Sequence, residues 1–320
     1  MDRRVILYVS IGFCIVASIQ IVGRNRWTRQ DPYPMTNIEN GVETWREWVQ
    51  GDRTSPEAVY ENGPRLAPNV YRIVTPLVQT TMAATPNPQI AYWAVMMICL
   101  AGAYTFLFFL AQKWLTPAGA FTTLLFSSAV TAGHHHQSFF DLEMAIFLLV
   151  FFAALWSLIN RRMPAFVLLM ILALLTREDA LLLGAVAGVY WLLNPSDRMP
   201  LHAAIITVTA FVALRGVAIA RLGMRPYYCD VIQIFHNFNY FRQVLETANI
   251  FNPIVSLFTT FVPLGVIALW KHRKLPDSLK AGVYVLALYL AVASILSKLT
   301  EPDHWYNVLP LFVIPAIYIL

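Results

Sequence analysis

Charge is scarce in this sequence. Asp, Glu, Lys and Arg make up 13% of 320 residues, where a soluble domain carries about a quarter. Cysteine is nearly absent: Cys14 and Cys99 fall inside apolar runs and only Cys229 falls in a loop. A loop-to-loop disulfide framework is therefore excluded, and the redox compartment stays unread. No Walker loop, dinucleotide fingerprint, zinc-protease pair or Cys-x-x-Cys occurs, which removes the commonest nucleotide, protease and redox classes. Nor is there a basic tract. The net charge of +5 is spread over short loops, a pattern of membrane topology and not of nucleic-acid binding.

What is abundant is apolar: 58% of the residues are hydrophobic. Repeated apolar runs approach the roughly 20 residues a helix needs to cross a bilayer. They do not alternate apolar with polar, as barrel strands would. The expectation is an all-α, polytopic transmembrane helix bundle forming a single domain over 1–320. Its spans are expected at about 5–22, 90–112, 117–133, 141–159, 164–176, 180–193, 202–219, 253–270, 281–297 and 306–320, about ten in all. Arg177-Glu178-Asp179 interrupts the fifth and sixth. Three adjacent ionisable groups are costly in mid-bilayer, so a turn at the interface is expected there. The first run lacks a small-x-small cleavage site after Ala17-Ser18-Ile19, so it is expected to be retained as a helix.

With the N-terminus inside, the inner loops hold Arg3, Arg4, Lys113, Arg161, Arg162, Arg198, Lys271, Arg273, Lys274 and Lys280, and the short outer loops only Arg177 and Lys298. That satisfies the positive-inside rule. Arg24, Arg26 and Arg29 oppose it locally, and the Lys271–Lys280 cluster decides. Only Asp2, Asp197 and Asp277 then face inward, leaving fifteen of eighteen acidic residues on the outer side. A long outer loop needs solvating groups, which accounts for the glutamates between 23 and 89. It does not account for Asp141, Glu143, Glu178, Asp179 and Glu301 at helix ends in apolar sequence. Ionisable groups so placed mark candidate sites.

The polar insert 23–89 follows the first span and carries Asp31-Pro32-Tyr33. Thr36-Asn37-Ile38-Glu39 reads as a capping box opening a helix to Gln50. Ile38, Val42, Trp45 and Val49 form its apolar stripe, with Glu39, Glu43, Arg46 and Glu47 largely on other faces. Trp45 and Trp48 suit a helix lying in the interface; a helix packed on a neighbouring loop is the alternative. After an irregular 51–68, a second short helix is expected from Asn69 to Met82. Its apolar side is Val70, Ile73, Val74, Leu77 and Val78, with a kink at Pro76. A second outer loop, 221–252, is rich in aromatics such as Tyr227, Tyr228, Phe235 and Tyr240. These stack on sugars, line an isoprenoid path or form an interfacial belt.

Four stretches carry a resemblance: Asp31-Pro32-Tyr33, Tyr71-Arg72-Ile73-Val74-Thr75-Pro76, Leu175-Thr176-Arg177-Glu178-Asp179-Ala180-Leu181-Leu182, and Glu301 with Leu309-Pro310. In order and outward placement the set resembles the GT-C superfamily of integral-membrane glycosyltransferases, in members of uncharacterised bacterial type. A paired acidic motif in the first outer loop and a soluble C-terminal domain are missing from the pattern. The resemblance implies transfer of a sugar from a polyprenyl-phosphate-linked donor at the outer face of a bacterial inner membrane. Partners would be that donor, membrane lipids and other membrane subunits, with no nucleic acid.

Such transfer passes through an oxocarbenium-like state. The acceptor hydroxyl needs a base, and the leaving phosphate needs positive charge from arginines, a divalent metal (Mg or Mn), or both. By resemblance Asp31 is the candidate base; as an Asp before Pro it is also a common turn starter. Arg72, beside Tyr71, and Arg177 are candidate phosphate clamps, since guanidinium matches phosphate oxygens. Glu178 and Glu301 are candidates to orient the arginines or bind sugar hydroxyls. An ion pair of Arg177 with Glu178 or Asp141 is the structural alternative. His134-His135-His136 cannot all face one ion from a regular element, so no metal ligand set is assigned. His136 joining Asp141 at the site stays open beside a polar interfacial cap. Two other functions compete. A transporter would use Arg215, the charge deep in a span. A non-catalytic subunit would keep only the scaffold.

Overall fold

The structure is a computed structural model and describes residues 9–18, 33–51, 71–134, 142–224, 239, 242, 263–296 and 308–320. Among these residues helices are the regular elements and no strand occurs. They are α1 Val9–Ser18, α2 Tyr33–Gln50, α3 Val74–Ala83, α4 Pro88–Ala111, α5 Pro117–His134, α6 Leu142–Ile159, α7 Met163–Thr176, α8 Leu181–Leu193, α9 Arg198–Leu222, α10 Asp277–Leu296 and α11 Leu309–Ile319. A further helical stretch covers 263–270; the rest of the expected span 253–270 lies outside the described residues, as does the loop 225–238.

Local chemistry sets many of the boundaries. Proline stands at the first or second position of α4, α5, α7 and α11, where its missing N–H is no loss. The Asn87 side chain accepts from the Ile90 amide at 3.1 Å, Thr116 accepts from Gly119 at 3.2 Å and Asp197 accepts from Met199 at 3.2 Å, each satisfying an orphan amide of a first turn. The Arg177-Glu178-Asp179 break is a turn between α7 and α8, as expected.

Among the described residues, three helices, α4, α6 and α9, are long and apolar enough to cross a membrane. α8, with 13 residues, rises only about 20 Å against an apolar bilayer core of about 30 Å. α6 is the centre of the bundle: Phe147, Phe151 and Phe152 are fully buried among Tyr92 and Phe108 of α4 and Phe166 of α7. α9 is the flank. Only 17% of its apolar window is buried, against 78% for α6, and Ile205, Val208, Val212 and Val217 are all more than half exposed.

The two short helices of the insert pack on each other, with corrections. α2 begins at Tyr33, so Thr36 lies inside the helix and does not cap it; Pro34 in the first turn suits the earlier start. Its inward face is rotated from the expected stripe. Ile38 is buried, but so are Gly41 and Glu47, while Val49 is 56% exposed. The reason is Gly41. A Cβ there would fall 1.9 Å from Gln79 Oε1 and 2.6 Å from Gln79 Cβ, so the bare backbone lets α3 close on this face. Gln79 then donates to the Asn37 side chain. α3 starts at Val74, not Asn69, and buries Thr75, Pro76, Gln79 and Met82, leaving Leu77 exposed. Pro76 sits in the first turn, where no helical hydrogen bond is lost and no kink is required.

A Gly41→Leu substitution is expected to separate α2 from α3 and lower stability by about 1–3 kcal/mol. Thermal melting in detergent, with a cysteine pair bridging the two helices as a proximity reporter, measures both effects. A melting point at the wild-type value would contradict the packing described.

Candidate functional site

At one end of the bundle three separated segments bring their charges together. α6 carries Glu143 in its first turn, where the helix dipole favours a carboxylate. α7 stops at Thr176 because Arg177 is extended (φ −152°, ψ 143°); a 3₁₀ turn, Glu178–Ala180, leads into α8. The segment Tyr71-Arg72-Ile73 crosses these ends. Its Ile73 amide donates to the Leu175 carbonyl at 2.8 Å, an acceptor left over by the end of α7. The Tyr71 hydroxyl donates to the Gly223 carbonyl, beyond α9, at 3.0 Å.

Arg72 is the centre of the resulting network. Its Nη1 donates to Glu143 Oε1 at 2.5 Å; its Nη2 and Nε donate to the two oxygens of Glu178 at 3.0 and 3.4 Å, a bidentate pairing. Arg177 reaches Glu143 at 3.5 Å and Asp179 at 3.2 Å, with its guanidinium 5.9 Å from the Phe147 ring. The Arg177 side chain is only 7% exposed and that of Arg72 12%. Arg215 of α9 completes the group. It lies 3.9 Å from Glu178, 4.7 Å from the Tyr71 ring and 5.5 Å from the Phe211 ring, both cation–π contacts.

Burial by itself would push the Glu178 carboxyl up. The charge of Arg72, its hydrogen bond and the charge of Arg177 outweigh that and bring the carboxyl down to about 2. For Arg72, burial works against the charged form, but Glu143 and Glu178 outweigh it and hold the guanidinium above its ordinary value. Both groups are ionised together; Arg72, Arg177 and Arg215 balance Glu143, Glu178 and Asp179.

Among the described residues, Arg215 Nη1 is buried without a hydrogen-bond partner. It borders a cavity of about 40 Å³ lined by Trp48, Tyr71, Glu178, Phe211 and Val217 among others. Trp48 reaches this place because Arg221, in the last turn of α9, donates to the carbonyls of Trp48 (2.9 Å) and Val49. Gly51 closes α2 in the left-handed region (φ 70°), its amide bonded to Glu47, as a helix C-terminus of this type requires.

Of the residues expected at the site, Tyr71, Arg72, Arg177 and Glu178 converge. Asp31, His136, Asp141 and Glu301 lie outside the described residues. Glu143, noted in the sequence only as a helix-end acid, proves to be shared by two arginines. Arg215, noted as a charge deep in an apolar run, borders the cavity together with Arg72. Glu178 bonds Arg72, while Arg177 pairs with Glu143 and Asp179. Among the described residues, no group of three His, Cys, Asp or Glu side chains is placed to hold a metal ion.

Comparison with protein-family models, with curated proteins and with solved structures found no match. Fold and site together define an all-helical chain with membrane-length apolar helices and a buried Arg–carboxylate network at one end.

The depressed Glu178 carboxyl gives the network a pH dependence. Its stabilisation is fully present above its ordinary value of 4.5 and is lost as pH falls through 4.5 toward about 2. The melting point should therefore drop between about pH 6 and about pH 3, and Glu178→Gln should start lower and change less over that window. Arg72→Ala, which strands two carboxylates, should cost about 3–5 kcal/mol. An Arg72→Ala protein melting with the wild type would remove Arg72 from the centre of the site.

Proposed function

We propose that this chain is a multi-pass membrane glycosyltransferase that moves a sugar from a polyprenyl-phosphate-linked donor to an acceptor at the outer face of a bacterial inner membrane. The observation that carries this reading is the unsatisfied Arg215 N–H at the cavity, beside two further arginines whose positions are held by carboxylates. A leaving phosphate is the partner such a donor takes, and neighbouring guanidinium groups are already fixed where negative charge would develop. The exposed apolar flank of α9, with Val212 and Val217, leads to Arg215 and suits an isoprenoid tail lying along it. Asp31 is assigned as the acceptor's base by resemblance. Tyr71 and Glu178 position Arg215 and Arg72.

Orientation follows from the opposite end. The turns there carry Lys113, Arg161, Arg162, Arg198, Lys271, Arg273, Lys274 and Lys280. Assigned to the cytoplasm, they satisfy the positive-inside rule and put the network outside. α2 and α3 then lie over the outer face with Leu77 and Val49 toward lipid.

A second reading has its own observation. The donors of Arg72 are already taken by carboxylates, and the network is balanced in charge. That suits a non-catalytic subunit whose ion pairs fasten the insert to the bundle.

The two are separated by assaying transfer from a labelled polyprenyl-phosphate sugar with purified, correctly inserted protein. Arg215→Gln is expected to lower transfer by about 10²–10³, as loss of a charge-stabilising donor does, with little change in melting point. Asp31→Asn is expected to abolish it. Full activity in both variants would refute the site; no transfer by the wild type, together with stoichiometric partners on purification, would favour the subunit.

A further inference from the structure

The opposite end of the bundle holds a second cavity, of about 240 Å³, where the turns after α4, α6 and α8 meet the start of α10. Lys113, Trp114, Arg161, Tyr190, Asp197 and Ser278 border it. Three features mark it as a built site. First, Arg161 sits in the left-handed region (φ 60°) at the end of α6, with its amide bonded to Leu158 and the Arg162 amide to Ser157. This is the helix-ending position that glycine usually fills, and glycine would hold it without strain. Here a long cation holds it. Second, the Arg161 guanidinium pairs with Asp197, which also caps α9, so one wall of the cavity is locked across 36 residues of sequence. Its side chain is nonetheless 64% exposed. Third, Trp114 and Tyr190 stand at the cavity's rim, and behind them a narrow apolar crevice of only about 20 Å³ shares Trp114, Ile159 and Ser278 with it.

A cationic mouth rimmed by two aromatics has the character of a headgroup site at a membrane surface. Basic pockets between membrane helices on the cytoplasmic side hold anionic headgroups. We propose that this end binds one anionic phospholipid, its phosphodiester at Lys113 and Arg161 and its acyl chains in the surrounding bilayer. Trp114 and Tyr190 at the cavity's rim, aromatics of the kind that sit at headgroup level, commit the site to a lipid over a free phosphate. Lys113 and Arg161 outnumber the single carboxylate, Asp197, so an anion is favoured there. The site requires a bilayer around the chain and stands apart from the transferase reading.

The test uses the full chain purified in detergent, with retained lipid read by native mass spectrometry and melting point followed on adding phosphatidylglycerol, phosphatidylcholine or inorganic phosphate. Phosphatidylglycerol is expected to remain bound and raise the melting point; the other two are expected to do neither. The Lys113→Gln, Arg161→Gly double variant should bind phosphatidylglycerol about tenfold or more weakly, the effect of removing two cations near the membrane surface. Glycine suits the backbone at 161, so Arg161→Gly alone keeps the turn and separates lost binding from lost folding. Equal retention of both lipids, an equal shift with inorganic phosphate, or unchanged binding by the double variant would overturn the proposal.

Discussion

Arg72 holds carboxylates from two different parts of the bundle at once, and most of the geometry at that end follows from this. A guanidinium that is 12% exposed stays charged, so without partners its burial would cost several kcal/mol. Glu143 and Glu178 supply them, but only if α6 starts where it does and α7 stops where it does. The same two carboxylates also face Arg177 and Arg215, so no member can move alone. The Ile73 amide and the Tyr71 hydroxyl then dock the crossing segment onto helix-end carbonyls.

The two ends of the bundle use arginine differently. At the network end the pairs are buried and their energetic weight is large. At the other end Arg161 is mostly exposed, where an ion pair is worth about 0–1 kcal/mol; its cost is conformational, a left-handed backbone that glycine would adopt freely. The contrast separates a region whose charges hold the fold from one whose charges are presented to surroundings. Arg221 stands between these cases, fastening the end of α2 to the end of α9 through two carbonyls.

Much of this architecture could be read along the chain. Apolar runs became helices at nearly the expected places because hydropathy and proline placement are local properties. The turn at Arg177-Glu178-Asp179 was visible for the same reason: three ionisable groups cannot sit within an apolar span. Tyr71, Arg72, Arg177 and Glu178 could be nominated from residue type and position. Arg215 stood out as a charge in apolar sequence, but not as a neighbour of Tyr71.

Local composition thus decided where helices form, where they break and which residues carry charge. Pairing was decided only by the fold: Arg72 finds Glu143 across 71 residues and Glu178 across 106, separations over which no sequence period operates. The face that α2 buries was decided in the same way. Amphipathic spacing pointed to Val49, yet the bare backbone of Gly41 lets Gln79 approach elsewhere, and close packing of two helices overrides the preference of either one alone.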